Sequence, residues 1–388
     1  MMNNLFELDK NYVAGTYARF PVDLERGSGA TYYSASGKEY IDMGTGIGVT
    51  AFGACDEEWK NAVISQLNKL SHTSNLYYSE PCVTLAKMLA ERTGLKKTFF
   101  ANSGAEANEC AIKVARKYYE DKYNKHGVII TLKNSFHGRT LATLSATGQD
   151  KFHELFNPLV SGFVHANAND MSEIKTLCKE HPVCAVMIEI VQGEGGVNAL
   201  DKSYVQELSA YCNSNDVLLI VDEVQTGNGR TGELYAYMGY GIMPDVVTTA
   251  KGLGGGLPIG ACMLGEKVEN VLTFGTHGST FGGNPVAAAG AISIISRLNE
   301  TLLNSVKQKG EYLKNELLNA DGVESVTGLG LMLGIKTKKP VKDVVNYCLE
   351  NGVLVLTAKD KLRLLPPLNI SEKELDKAIS VIKDALKV

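Results

Sequence analysis

Val217-Leu-Leu-Ile-Val-Asp222-Glu-Val224-Gln225 carries an unbroken apolar run into a carboxylate and then into polar residues. A β-branched and leucine run without alternation is what a strand buried on both faces requires, and sheets covered on both faces are characteristically parallel α/β sheets. Asp222 stands where that strand ends, the edge at which parallel sheets bind their ligands. A carboxylate ending a buried strand is costly without a partner.

Working outward, similar short runs recur at residues 98–101, 128–132, 162–165, 185–190, 246–249 and 259–264, with helical patterns between them. That alternation predicts an α/β fold whose large domain holds a mainly parallel seven-stranded sheet. One helix can be read directly: Ala107, Cys110, Ala111, Val114, Ala115 and Tyr118 recur at spacings of three and four, right after Ser103-Gly104. A second follows Asn284-Pro285, where residues 286–295 are nearly all Ala, Gly and Ile, a composition suited to close packing and to joining two domains.

With 388 residues, two domains are expected. We place a large domain at 51–284 and a smaller α+β domain at 285–388, with strands near 329–335 and 353–356. Residues 1–50 are strand-like and rich in turns, too few for a core, and should pack against the C-terminal part.

A net charge of −4 with dispersed lysines argues against nucleic acid as a partner. No run approaches the roughly 18 apolar residues that span a bilayer, so no membrane partner is expected. The opening residues lack a basic region followed by an apolar stretch. The eight cysteines are scattered, without a Cys-x-x-Cys pair or a His cluster at metal spacing. They predict buried thiols, a reducing cytoplasmic location and no metal.

The chemistry begins with Asp222 and Lys251, which both follow predicted strands and can therefore converge. A carboxylate that keeps a pyridine nitrogen protonated and a lysine that forms an imine are the pair a pyridine aldehyde cofactor needs. Lys251 lies in Ala250-Lys251-Gly-Leu-Gly-Gly-Gly-Leu-Pro-Ile-Gly, where glycines let backbone approach a ligand. The alternative is a capped loop and a surface lysine.

Asn102-Ser103-Gly104-Ala105-Glu106-Ala107 places a turn between a strand and a helix, and free amides at a helix N-terminus suit a phosphate. An ordinary serine N-cap is the other reading of Ser103. Phe136 in Asn134-Ser-Phe136-His-Gly-Arg139-Thr140 can stack on a cofactor ring, and Arg139 can hold a carboxylate bidentately; core packing and a surface ion pair are the alternatives. Gly227-Asn-Gly229-Arg-Thr-Gly232 fits a dinucleotide fingerprint literally. Five residues separate it from the strand, and a poor crossover helix follows, so that reading is set aside. Gly44-Thr-Gly46-Ile-Gly48 reads as a flexible loop.

These motifs, with Asp222-Glu-Val-Gln-Thr-Gly227 and Gly278-Ser-Thr280-Phe-Gly-Gly-Asn-Pro285, stand in an order that resembles the class III (subgroup II) aminotransferases of pyridoxal 5'-phosphate fold type I. The resemblance implies that Lys251 attaches the cofactor, Asp222 pairs with its ring nitrogen and Gln225 lies near its phenolic oxygen. It implies further that Val224 and Phe136 sandwich the ring, while Ser103, Gly104 and Ala105 hold the phosphate. Thr280 would reach the phosphate of a neighbouring subunit, making the active unit a homodimer with shared sites. Arg139 and Arg363 would bind substrate carboxylates, and Glu194 would neutralise Arg363 when an amine donor enters.

Tyr17-Ala-Arg-Phe-Pro21, Ser74-Asn-Leu-Tyr-Tyr78 and Gln192-Gly-Glu194-Gly-Gly-Val197 resemble those members of the class that move the δ-amine of N2-acetyl-L-ornithine to 2-oxoglutarate. Succinylornithine, ornithine, 4-aminobutyrate and succinyldiaminopimelate remain alternative donors, and an aminomutase a further alternative. Two departures from the family pattern stand out: Ile190 replaces the usual proline, and Gly53-Ala-Cys-Asp-Glu57 replaces a His-containing stretch.

Overall fold

The structure, a computed structural model, describes residues 2–387. All seven expected strands form one sheet. Its order is Lys97–Ala101, Gly260–Leu264, Val246–Thr249, Leu218–Asp222, Val183–Ile188, Val128–Leu132 and Phe163–Ala166. The central strands are buried along their whole length, as their unbroken apolar runs demand.

Gly260–Leu264 runs antiparallel to both neighbours, so the sheet is parallel except at that strand. Only residues 250–259 separate it from Val246–Thr249, too few for the crossover a parallel return needs.

Helix Gly104–Tyr123 buries Ala107, Cys110, Ala111, Val114 and Ala115 against the sheet, the face its periodicity predicts. Asn108 is buried with them, and that polar exception belongs to the site. Helix Pro285–Arg297, N-capped by Asn284, packs on helices Glu57–Lys69 and Glu80–Thr93. After a 76° bend the chain enters Glu300–Leu318, which lies on the C-terminal sheet. Among the described residues no single helix is long and apolar enough to cross a membrane.

The C-terminal sheet is antiparallel, in the order Val323–Leu329, Met332–Thr337, Lys361–Leu364, Leu356–Ala358. The N-terminal strands Arg26–Ser28, Thr31–Tyr33 and Glu39–Asp42 form a meander, and Glu39–Asp42 pairs in parallel with Val353–Leu354. The early segment thus completes its sheet with a strand from the C-terminal part.

Residues 44–48 are not a flexible loop. Asp42 Oδ1 accepts the backbone N–H groups of Gly44 and Thr45, each at 2.8 Å, and Thr45 Oγ1 donates to Leu365 O at 2.7 Å. Near the second departure, Asp56 accepts the N–H of Trp59 at 2.9 Å and so supplies the start of helix Glu57–Lys69.

Candidate active site

Asp222 pairs with Thr248 on the neighbouring parallel strand, and the chain reaches Lys251 three residues later, on the same edge of the sheet. Lys251 has φ +47°, a left-handed conformation that costs a non-glycine residue about 1–3 kcal/mol. Such strain is held only where the surroundings fix it. Burial pushes the Lys251 ammonium below its ordinary pKa, against the pull of Glu194 and Asp222. The shift makes the neutral amine, the nucleophilic form, more accessible than in an exposed lysine.

Asp222 is almost completely buried and fully occupied on its inner side. Its Oδ2 accepts from Asn108 Nδ2 and lies within hydrogen-bond reach of His137 Nδ1, both at 2.8 Å, while Oδ1 accepts the Val224 N–H at 3.0 Å. Asn108 is itself oriented by Thr248 Oγ1, which donates to its Oδ1 at 2.6 Å. The penalty expected for a carboxylate at the end of an apolar strand is met by these donors.

Ser103 caps helix Gly104–Tyr123, its Oγ accepting the Glu106 N–H at 3.2 Å. The next N–H groups, those of Gly104 and Ala105, fall in the first helical turn, where the helix supplies no acceptor. Both readings of this turn therefore hold at once: a serine cap, and an anion-ready helix N-terminus. The turn is tightly held. A Cβ on Gly104 would lie 2.6 Å from Val224 Cγ1, and one on Gly260 would lie 2.2 Å from Ser103 O.

Ser103, Gly104, Ala105, Phe136, Arg139, Asp222, Val224, Gln225 and Lys251 line one cavity of about 590 Å³. A larger hollow of about 960 Å³ opens around Met243, Asp245 and Lys267 and contains none of the converging residues. Phe136 is half-buried and meets Phe152 edge-on, with ring centroids 5.8 Å apart. The Arg139 guanidinium lies over Phe152 at 4.3 Å and over Phe136 at 5.7 Å, on an exposed side chain.

Arg363 and Glu194 lie outside the cavity lining and reach it through Gln225. Arg363 Nη1 donates to Glu194 Oε1 at 2.5 Å and to Gln225 Oε1 at 3.1 Å, and Gln225 Nε2 donates to Glu194 Oε1 at 3.4 Å. Burial works against ionisation of Glu194, but the Arg363 guanidinium, Lys251 and the Gln225 hydrogen bond together outweigh it and hold the carboxyl below its ordinary pKa. Gln225, expected beside the cofactor's phenolic oxygen, is turned in part toward this ion pair. Thr280 is exposed and is not part of the cavity wall of its own chain.

Three polar residues of the site lie beyond the roles read from sequence. His137 and Asn108 hold Asp222, and Glu189 lines the cavity with Oε2 accepting the Phe136 N–H at 3.0 Å. Burial, then the nearby Asp222, pushes the Glu189 carboxyl well above its ordinary pKa. Its signal in the sequence is a lone carboxylate inside the apolar run of residues 185–191. Tyr17 also lines the cavity, from the N-terminal segment.

The donor set fits pyridoxal phosphate: an amine biased toward neutrality, a carboxylate fixed from behind, a flat aromatic wall and a helix N-terminus with spare N–H groups. Fold and site together define a pyridoxal-phosphate enzyme of fold type I. The profile of the family described as Aminotransferase class-III matches residues 12–386, and the chain belongs to that family of pyridoxal-phosphate-dependent transaminases.

It is 51% identical to an acetylornithine aminotransferase of Haemophilus ducreyi, over 98% of each chain. It is 46% identical to the acetylornithine aminotransferase of Aquifex aeolicus, over 97% of this chain and all of the relative. Among solved structures it superposes on the ornithine aminotransferase of Toxoplasma gondii with a TM-score of 0.96 at 31% identity, covering 100% of this chain and 95% of that one. The N-acetylornithine aminotransferase of Stenotrophomonas maltophilia gives 0.85 at 34% identity, covering 98% of both chains.

Proposed function

We propose that the enzyme transfers the δ-amino group of N2-acetyl-L-ornithine to 2-oxoglutarate, yielding N-acetyl-L-glutamate 5-semialdehyde and L-glutamate, as a step in arginine biosynthesis. The observation that carries this reading is the ion pair of Glu194 with Arg363, beside a second, exposed arginine, Arg139. A donor with one carboxylate needs one arginine and must pass the other. A five-carbon dicarboxylic acceptor needs both. The pair of Glu194 with Arg363 meets the first demand when closed and the second when open, since an unpaired buried guanidinium beside an uncharged chain would be costly.

Bound pyridoxal phosphate supplies the electron sink that lets an amino group pass between carbons. Around it, the Gly104 and Ala105 N–H groups and the Ser103 turn hold the phosphate, and Phe136 and Val224 bound the ring. Asn108 and His137 fix Asp222, whose carboxylate would pair with the ring nitrogen. Lys251 Nζ would hold the cofactor and would accept and return the proton that moves on the substrate carbon. Arg139 binds the donor's α-carboxylate, which lies at the end remote from the reacting δ-carbon, and likewise the distal carboxylate of the acceptor; Arg363, once Glu194 swings away, binds the acceptor's carboxylate next to the reacting carbonyl.

Thr280 is best used by a second copy of the chain, and exposed Leu76, Tyr77, Tyr78, Phe274 and Phe281 give this part of the surface an apolar character suited to burial in a homodimer. The eight free thiols suit a reducing cytoplasm. Mixing the holoenzyme with the two substrates should produce glutamate and a semialdehyde, and Lys251→Ala should abolish both turnover and the visible absorbance of the bound cofactor. Retained turnover with an unchanged spectrum overturns the role of Lys251.

A further inference from the structure

The arginine assigned to the carboxylate remote from the reacting carbon, Arg139, is an exposed side chain, and among the described residues no carboxylate pairs with it. An arginine free to swing loses binding energy to its own ordering. The contacts it does make are with rings: its guanidinium carbon stands 4.3 Å from the centroid of Phe152 and 5.7 Å from that of Phe136. A ring attracts a guanidinium through its negative face and takes up none of its N–H groups as conventional hydrogen bonds, so the fork stays free for a carboxylate. Lys151 Nζ lies over the Phe152 ring as well, at 4.7 Å, so this ring serves as a platform for cations.

Phe152 is itself held. It closes the turn Asp150–Phe152, its N–H donating to Gln149 O at 3.0 Å. Gln149 is buried, and its Nε2 donates to Ser135 O at 3.0 Å, beside Phe136. Just past the turn, His153 Nε2 lies 3.0 Å from Leu144 O in helix Leu141–Ala146, and the His153 ring stacks on His165 with centroids 5.7 Å apart. The turn is thus tied to both stretches that flank Arg139, the strand end before it and the helix after it. Phe152 meets Phe136 edge-on and is not part of the cavity wall, so it stands behind the arginine.

We propose that Phe152 is a positioning residue for the remote carboxylate of donor and acceptor alike, its ring fixing the Arg139 guanidinium from outside the cavity without touching substrate. This rests on the assignment of Arg139 to that carboxylate. A guanidinium that loses its platform loses bidentate geometry on a carboxylate, and both half-reactions present one there. A substrate without the remote carboxylate loses nothing.

The test uses the holoenzymes of Phe152→Leu, Phe152→Tyr, Arg139→Gln and the double variant of Phe152→Leu with Arg139→Gln. Two donors are compared, acetylornithine and N-acetylputrescine, which is the same chain without its carboxylate. Two acceptors are compared likewise, 2-oxoglutarate and 2-oxopentanoate, which carries a methyl in place of the distal carboxylate. In a two-step exchange each kcat/KM reports its own half-reaction. Phe152→Leu should lower the values for acetylornithine and 2-oxoglutarate about fivefold, mainly through KM, and leave the other two within about twofold. Phe152→Tyr, which keeps the ring, should restore them. With Arg139→Gln already in place, Phe152→Leu should add less than about twofold, because the group it positions is gone. Equal losses for all four substrates would show the ring acting through Phe136 and the cofactor, and would overturn the proposal, as would no loss at all or an undiminished loss in the double variant. If Arg139→Gln keeps the preference for the carboxylate-bearing substrates, the assignment of Arg139 has failed, and the proposal with it. Thermal unfolding of each holoenzyme separates misfolding from misplacement, and if Phe152→Leu does not fold, Phe152→Met, also without a ring, decides by the same comparison.

Discussion

Glu194 Oε1 and Arg363 Nη1 meet at 2.5 Å although 169 residues separate them in the chain. Arg363 is 4% exposed at its side chain and Glu194 29%, so water reaches one partner and hardly touches the other. Removing one member of a fully buried pair costs about 3–5 kcal/mol, and the partial exposure of Glu194 lowers that to about 1–3 kcal/mol.

Glu194→Gln leaves Arg363 charged and without its carboxylate when a donor enters. We expect kcat/KM for acetylornithine to fall about tenfold to hundredfold, in line with that energy, while the value for 2-oxoglutarate is held or rises. Steady-state kinetics of both half-reactions check it. Equal losses in both would contradict a role confined to the donor.

Gly104→Ala tests the phosphate turn. A methyl at that position meets Val224 Cγ1 at 2.6 Å, so either the turn or the wall of the ring site must move. Alanine is a better helix former than glycine by about 0.5–1 kcal/mol, so the helix itself is not weakened by propensity. Titration of the cofactor-free variant with pyridoxal phosphate should show a Kd raised about tenfold, and an unchanged Kd would detach Gly104 from the phosphate.

Glu223, next to Asp222, is fully buried, with Oε1 accepting the Tyr237 N–H at 2.8 Å and Oε2 accepting from Thr226 Oγ1 at 2.5 Å. Burial pushes its carboxyl from the ordinary 4.5 up to about 7. Between those values the folded chain binds more protons at this site than the unfolded chain. The contribution of Glu223 is therefore fully present below the unfolded value and is lost as pH rises through about 7. Wild type should lose up to about 3 kcal/mol relative to Glu223→Gln between pH 5 and 8. Thermal unfolding of the two proteins across that range gives the difference curve, and a flat difference refutes the assignment. Glu189 titrates in the same sense in both proteins and cancels.

Much of this architecture is legible in the chain because local rules suffice for it. Leu218–Asp222 and Val183–Ile188 declare burial on both faces by their unbroken apolar runs, and Ser103 announces a helix start. The reversed direction of Gly260–Leu264 was implicit in the ten-residue connection before it, a matter of chain length that residue type does not record.

The site is legible at its reacting ends, Asp222 and Lys251, and less so behind them. Asn108 lies 114 residues from the carboxylate it holds, on a helix face otherwise apolar, and His137 lies 85 away. Periodicity carries no trace of such pairings. Residues 44–48 read as loose because glycine permits motion, yet Asp42 and Leu365 remove it. Flexibility depends on partners, and here they come from distant segments.

The assigned reaction is tested most directly by kcat/KM with 2-oxoglutarate for four donors: acetylornithine, succinylornithine, ornithine and 4-aminobutyrate. Acetylornithine should exceed ornithine and 4-aminobutyrate by at least about tenfold, because the free α-amine of ornithine and the shorter chain of 4-aminobutyrate forfeit contacts around Arg139. A clear advantage for ornithine or 4-aminobutyrate would contradict the proposed substrate while leaving the transaminase itself intact.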